Sequence, residues 1–257
     1  MLNCLKKIFS IFLIFNLTFV SSAQAAATFD DINGDGTGFS VGDDTDPEDV
    51  AFNNNGTKMF VINLDTDHID VYTLTTGFDL STATFNDING DGTGFDVSGQ
   101  EANPRSIEFN NDGTKMFLVG TSGDDVNVYN LSTGFDLLTA TFNDINGDGS
   151  GFDVSGQDES PQSLAFNNDG TKMFVLGVNS DDINVYNLST GFDLLTATFN
   201  DINGDGSGFD VSGQDESPQS LAFNNDGTKM FVLGVNSDDI NVYNLSTGFD
   251  LLTATFN

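Results

Sequence analysis

The phrase Ala-Thr-Phe-(Asp/Asn)-Asp-Ile-Asn-Gly-Asp-Gly begins at Ala27, Ala83, Ala140 and Ala197, and a stump of it occupies Ala254 to Asn257. The intervals are 56, 57, 57 and 57 residues. The one-residue deficit falls between Phe39 and Pro47, where later copies carry one more loop residue before Pro104, Pro161 and Pro218. Repeats of this length restrict the chain to stacked or radial arrays, because one unit cannot bury its apolar faces alone. The copies 140–196 and 197–253 are identical, which points to a very recent duplication or an error of sequence assembly.

Within a copy the pattern is β. In the third, Gln162 to Phe166 reads as a short strand led in by Pro161, and Asn167-Asn168-Asp169-Gly170 as a tight turn of residues that accept positive φ. Lys172 to Val178 is nearly continuously apolar, as a strand covered on both faces should be. Ile183 to Leu188 alternates, and Leu194 to Phe199 reads as the fourth strand. No stretch has the capped 3.6-residue period of a helix. The expected fold class is all-β: a β-propeller-like array of four ~57-residue, four-stranded antiparallel blades, each packing Phe and Met side chains on its neighbours. The array either closes as a ring, the N-terminal segment completing the last blade's outer strand, or is a truncated part of a larger propeller.

The run from Pro161 to Val175 (PQSLAFNNDGTKMFV) and Ile183 to Gly191 (INVYNLSTG) resembles bacterial YVTN-type and WD40-like β-propeller repeats. The likeness covers about 35 residues of each copy and implies a propeller, whereas many unrelated functions share that fold. Two departures stand out: the linker bearing Asp-Ile-Asn-Gly-Asp-Gly is long, and four copies are few.

Residues 1–25 read as a secretory signal peptide. Lys6 and Lys7 precede the largely apolar Ile8 to Val20, and Ala23-Gln24-Ala25 offers a small-x-small cleavage site. The remainder, 26–257, is one repeat domain with copies 27–82, 83–139, 140–196 and 197–253 and the stump 254–257. The expected location is secreted, periplasmic or cell-surface, with no membrane insertion after cleavage. With 7 Lys+Arg against 39 Asp+Glu, a net charge of −32 excludes nucleic acid as a partner. One Cys and one His cannot build a disulfide framework or a Cys/His metal site.

The loops suggest calcium. Four sets match the first half of a D-x-N-x-D-G loop: Asp31, Asn33 and Asp35; Asp87, Asn89 and Asp91; Asp144, Asn146 and Asp148; Asp201, Asn203 and Asp205. Their alternate side-chain oxygens suit a hard cation. The twelfth position holds Gly42, Ser98, Ser155 or Ser212 rather than Glu, so Asp96, Asp153 or Asp210 would have to close the site, and the first copy has Ser40 there. The competing account is a plain turn with solubilising acids. His68 stands where later copies have Asp125, Asp182 and Asp239 and reads as a drifted turn residue. Lys58, Lys115, Lys172 and Lys229 read as charge-balancing residues at a strand start. Adjacent acids such as Asp181-Asp182 share one environment and make poor acid/base pairs.

No catalytic residue is expected on this reading. The expected function is a non-enzymatic, secreted or surface repeat protein that binds or scaffolds a protein or glycan ligand. The alternatives are a lactonase-like propeller hydrolase with a metal held by acids in the channel, and a stacked adhesin or stalk. Enzymatic propellers draw different residues from different blades, and here only the first copy departs strongly from the rest.

Overall fold

The computed structural model describes residues 31–257 apart from 33, 35 and 43–45, so the segment read as a signal peptide lies outside the described residues. All the sheets lie in the unit Ser40–Asn257. The first sheet contains β1 (Pro47–Phe52), β2 (Lys58–Asn63), β3 (His68–Leu74) and β4 (Ala83–Phe85), paired in that order and antiparallel. The two-residue β5 (Phe95–Asp96) adds to the free end of β3. The second sheet repeats this with β6 (Pro104–Phe109), β7 (Lys115–Gly120), β8 (Asp125–Leu131), β9 (Ala140–Phe142) and β10 (Phe152–Asp153). The third has β11 (Pro161–Phe166), β12 (Lys172–Gly177), β13 (Asp182–Leu188), β14 (Ala197–Phe199) and β15 (Phe209–Asp210). The fourth has β16 (Pro218–Phe223), β17 (Lys229–Gly234), β18 (Ile240–Leu245) and β19 (Ala254–Phe256).

Two local expectations need correction. The segment Leu194–Thr196 is a 3-10 turn, not strand, because Asp193 caps it by accepting the Leu195 amide; only Ala197–Phe199 pairs with β13. Sheets and sequence copies are also out of phase. The Ala-Thr-Phe that opens each copy closes the preceding sheet, so the last sheet's outer strand is Ala254–Phe256 and not the N-terminal segment.

Alternation along the second strand of each sheet decides the packing, because successive side chains face opposite ways. Met173 and Val175 of β12 join a core with Phe117 and Val119 of the second sheet, while Phe174 and Leu176 join a core with Met230 and Val232 of the fourth. Phe174 is fully buried, its ring 4.7 Å from Phe223 and 6.3 Å from Phe249. Phe249 holds φ 58, costly for a bulky residue. Its ring lies over Gly227, where a Cβ would sit 2.2 Å from it, so that turn requires glycine. The same arrangement recurs at Phe78, Phe135 and Phe192.

The three sheet-to-sheet joints are therefore alike, and among the described residues none covers the fourth sheet's far face in this way: Leu233 is 44% and Ile240 64% exposed. Phe174→Ala should lose roughly 3–5 kcal/mol in denaturant titration, the range for deleting a buried aromatic ring. Its counterpart Phe231, half-buried on the open face, should lose less than half as much on the same change. Equal losses would place the two rings in equivalent environments and refute this packing.

Candidate functional site

The first strands β1, β6, β11 and β16 neighbour one another in sequence order, and a cavity of about 430 Å³ opens between them. Its lining includes Asp49, Ser106, Glu108, Ser163, Leu164, Ser220 and Ala222. A hydrogen-bonded belt joins these strands. The Leu164 amide donates to Ser106 Oγ at 3.4 Å and the Leu221 amide to Ser163 Oγ at 3.1 Å. At the first joint aspartate replaces that serine: Asp49 Oδ2 accepts the Ile107 amide and the Ser106 hydroxyl, both at 2.9 Å.

Glu108 breaks the repeat, standing where the other copies have Ala51, Ala165 and Ala222. Burial pushes its carboxyl up to about 8, and the charge of Asp49 pushes the same way. Burial also raises Asp49, against the donors Ile107 and Ser106. The two carboxyls thus share a cavity in unlike settings: Asp49 holds three donors, counting the Val50 amide at 2.8 Å, whereas the peptide N–H of Phe109 alone favours the charged form of Glu108. A carboxyl with a raised pKa in a cleft, beside a second charge, marks a site suited to proton transfer. Nearby, Arg105 Nη1 is committed to Glu48 Oε1 at 2.5 Å.

None of these residues was singled out from the sequence. The signal was present as departures from the repeat at its first strand: Asp49 for serine, Glu108 for alanine, Arg105 for glutamine. Reading the copies for what they share conceals it.

The loop acids lie elsewhere. Asp87 Oδ1 accepts the amides of Gly90 (2.7 Å) and Asp91 (3.1 Å), and its Oδ2 that of Gly92 at 3.0 Å. Asp91 Oδ1 takes the amide and hydroxyl of Thr93. In the next two loops Asp144 and Asp201 accept glycine and aspartate amides in the same way, and Asp148 and Asp205 take the amides of Ser150 and Ser207. The three asparagines expected beside them as ligands are held by the loop backbone. Asn89 donates its Nδ2 to the Gly94 carbonyl at 2.8 Å, Asn146 to Gly151 at 2.7 Å and Asn203 to Gly208 at 2.6 Å. Each side-chain amide nitrogen thus closes its own turn, while the oxygen that the sequence pattern assigns to a cation at Asn89, Asn146 and Asn203 is not used in these bonds. In the first loop Asp31 Oδ2 accepts the Gly36 amide, and Asn33 and Asp35 lie outside the described residues. Among the described residues no three His, Cys, Asp or Glu side chains are grouped to hold a metal. Calcium binding here stands as a proposal resting on the sequence pattern. Melts should show a higher midpoint in millimolar calcium than in magnesium; equal shifts, or none, would make these loops ordinary turns.

His68 opens β3 opposite Asn63, its Nδ1 against the Thr66 carbonyl, and takes no part in the cavity. Lys58, Lys115 and Lys172 reach across the joints: their Nζ atoms donate to the carbonyls of Phe135, Phe192 and Phe249 at 2.7, 2.8 and 2.9 Å.

No family model matches the chain, and no curated protein does. Among solved structures it is similar to a candidate 6-phosphogluconolactonase from Bacteroides fragilis, with TM-score 0.51 and 16% identity over 82% of this chain and 52% of that one. The fold is a four-bladed β-propeller. A further candidate 6-phosphogluconolactonase, from Bacteroides uniformis, has TM-score 0.49 and 14% identity over 82% and 52%. The periplasmic gluconolactonase of Pseudomonas aeruginosa has 0.46 and 19% over 82% and 52%. The chain spans about half the length of each.

The expectation of a non-enzymatic binding or scaffolding protein is corrected at this point. The Bacteroides fragilis structure that shares the fold carries a lactonase name. The blade asymmetry whose scarcity argued against an enzyme is present in the channel, where the first and second blades contribute Asp49 and Glu108 and the last two contribute Ser163, Ser220 and Ala222.

Glu108 leaves a mark on stability. Its folded pKa lies above its ordinary 4.5, so the folded chain keeps a proton that the unfolded chain releases. Its contribution therefore falls as pH rises from about 4.5 to about 8 and is level above that. Glu108→Ala, which restores the residue of the other blades, should gain stability relative to the parent as pH rises through that window. A pH-independent difference between the two would place Glu108 in water.

Proposed function

We propose that the chain is a propeller hydrolase that opens a sugar lactone, with Glu108 as the proton-transferring group. The carrying observation is the raised carboxyl of Glu108 in the channel beside Asp49. A general base works best when its pKa lies near the working pH. In this reading ionised Glu108 takes a proton from water, and the water oxygen attacks the lactone carbonyl. The ring C–O bond then breaks, and the departing ring oxygen takes the proton from Glu108, giving the open hydroxy acid. Asp49 acts through Glu108 by keeping it basic. Among the described residues no three His, Cys, Asp or Glu side chains gather at the cavity, and the steps are written with the protein's own groups.

The lining also suggests the substrate. It holds no Lys, Arg or His, which suits a neutral lactone and disfavours a phosphorylated one. The ionised hydroxy acid would be repelled by the same carboxyls, which favours its release. Export is part of this reading. Among the described residues no helix is long and apolar enough to cross a membrane. The YVTN-type and WD40-like affiliation belongs here too, supported by the Asn-Asp-Gly turn between the first two strands of the last three blades.

Hydrolysis of glucono-1,5-lactone and of its 6-phosphate, followed above the spontaneous rate, tests the proposal. The neutral lactone should be the better substrate, with a rate rising to a midpoint near the raised pKa of about 8. Glu108→Gln should lower kcat/KM by about 10²–10⁴, the usual contribution of general acid–base catalysis. Asp49→Ser, which restores the belt serine, should move the midpoint to lower pH while activity persists. No rate above background in the parent chain, or full activity in Glu108→Gln, would overturn the assignment.

A further inference from the structure

We infer that the substrate is a lactone carrying a second sugar ring through C6, and that a smaller cavity beside Glu108 receives that ring. The reaction rests on the lactonase reading, the shape on the cavities alone. A space of about 190 Å³ shares Glu108, Leu221 and Ala222 with the channel. The rest of its wall comes from the third and fourth blades, chiefly the half-buried Phe166, Phe223 and Phe249 together with Asn168. Glu108 is its only charged lining residue.

The repeat builds this wall twice. Where the first two blades meet, the channel is lined by Phe52, Phe109, Phe135 and Asn54. Phe166, Phe223, Phe249 and Asn168 stand at the same positions two repeats on. One copy of the wall thus belongs to the first two blades and the other to the last two, and Glu108 borders both. Two like spaces suit a ligand made of two like units. Phenylalanine rings beside side-chain amides give an apolar surface with a few hydrogen-bonding groups, which matches the C–H face and hydroxyl rim of a sugar. Asn168 is already fixed, its Nδ2 donating to the Asn225 carbonyl at 2.7 Å, which leaves its Oδ1 to accept a sugar hydroxyl. Neither lining holds Lys, Arg or His, so both rings should be neutral.

The place of Glu108 sets the linkage. Asp49 lines the channel and not the smaller space, so the lactone lies in the channel beside both carboxyls. The carbonyl served by Glu108 and the bond leading to the second ring then share one edge of the lactone. In a 1,5-lactone C1 and C5 flank the ring oxygen, so a substituent on C6 leaves from the carbonyl's edge. One on O4 leaves across the ring, away from Glu108.

Gentiobiose and cellobiose, two glucose rings joined 1,6 and 1,4, probe the two-ring site without turnover. Calorimetric titration of the full chain should give gentiobiose a Kd at least about tenfold below that of glucose, because the second ring adds atoms in contact. Gentiobiono-1,5-lactone should be hydrolysed with a higher kcat/KM than glucono-1,5-lactone, and cellobiono-1,5-lactone should show no such gain. Ala165 lines the smaller cavity alone, at the position where the second blade carries Glu108, so the strand accommodates a longer side chain there. Ala165→Gln should fill the cavity and bring the gentiobiose Kd towards that of glucose, with an unchanged β circular dichroism signal. Gentiobiose bound no more tightly than glucose by the parent chain, or a lactonase activity that gains nothing from the second ring, overturns the inference and leaves the lactonase reading standing. Tight gentiobiose binding that Ala165→Gln weakens, in a chain that opens none of the lactones, supports the two-ring site and overturns the lactonase reading instead. A preference for the 1,4-linked ligands would overturn the assignment to C6.

Discussion

The joint between blades carries the fold, and within it one strained residue does several jobs. Phe249 sits at φ 58, where a bulky side chain is rarely found. In that conformation its ring covers Gly227 and lies 5.3 Å from Phe223, and its carbonyl meets the ammonium of Lys172. The strain is local and the compensation comes from the neighbouring sheet: a buried Phe174 and a half-buried lysine hydrogen-bonded to the Phe249 carbonyl. Every joint repeats the arrangement, and the first strands of successive blades neighbour one another around the cavity.

The same joint explains where the few cations go. Of the five basic residues among the described ones, Lys58, Lys115, Lys172 and Arg105 each bridge two blades, and Lys229 stands at the open face. A chain at −32 repels itself. Scattering its cations over the surface would gain little, since exposed ion pairs contribute about 0–1 kcal/mol. Placed across joints and bonded mostly to carbonyls, they act as connectors, and the lysines read from sequence as charge-balancing turn out to be geometric.

What could be read from the sequence follows from this economy. Turn residues and a nearly continuous apolar run identify strands such as Lys172–Gly177 without reference to partners, because the information is local. Leu194 to Phe199 misled because its first half is apolar enough for a strand while the Asp193 cap, a contact two residues long, winds it into a 3-10 turn. At Asn146 and Asn203 the pattern speaks only of the side-chain oxygens; that their amide nitrogens reach carbonyls five residues on is a property only the folded loop shows. The joint phenylalanines were legible as core, but not their direction. Which of Met173 and Phe174 faces which neighbour depends on sheet order, a non-local property.

The channel was hidden for a different reason. Repetition makes a scaffold and cancels chemistry, since equal residues arranged about an axis give every group the same surroundings, and proton transfer needs groups held in different ones. Blades three and four, identical in sequence, bring only Ser163, Ser220 and apolar residues to the cavity. Asp49 can replace a belt serine because it still accepts the Ile107 amide and the Ser106 hydroxyl, so the belt survives the change. Glu108 replaces an alanine, which leaves no hydrogen bond to lose. The fold thus tolerates a carboxyl at each of these two positions for separate structural reasons. Loss of water around Glu108 does most to raise its pKa, to about 8, and the charge of Asp49, brought into the same cavity from the first blade, adds to it.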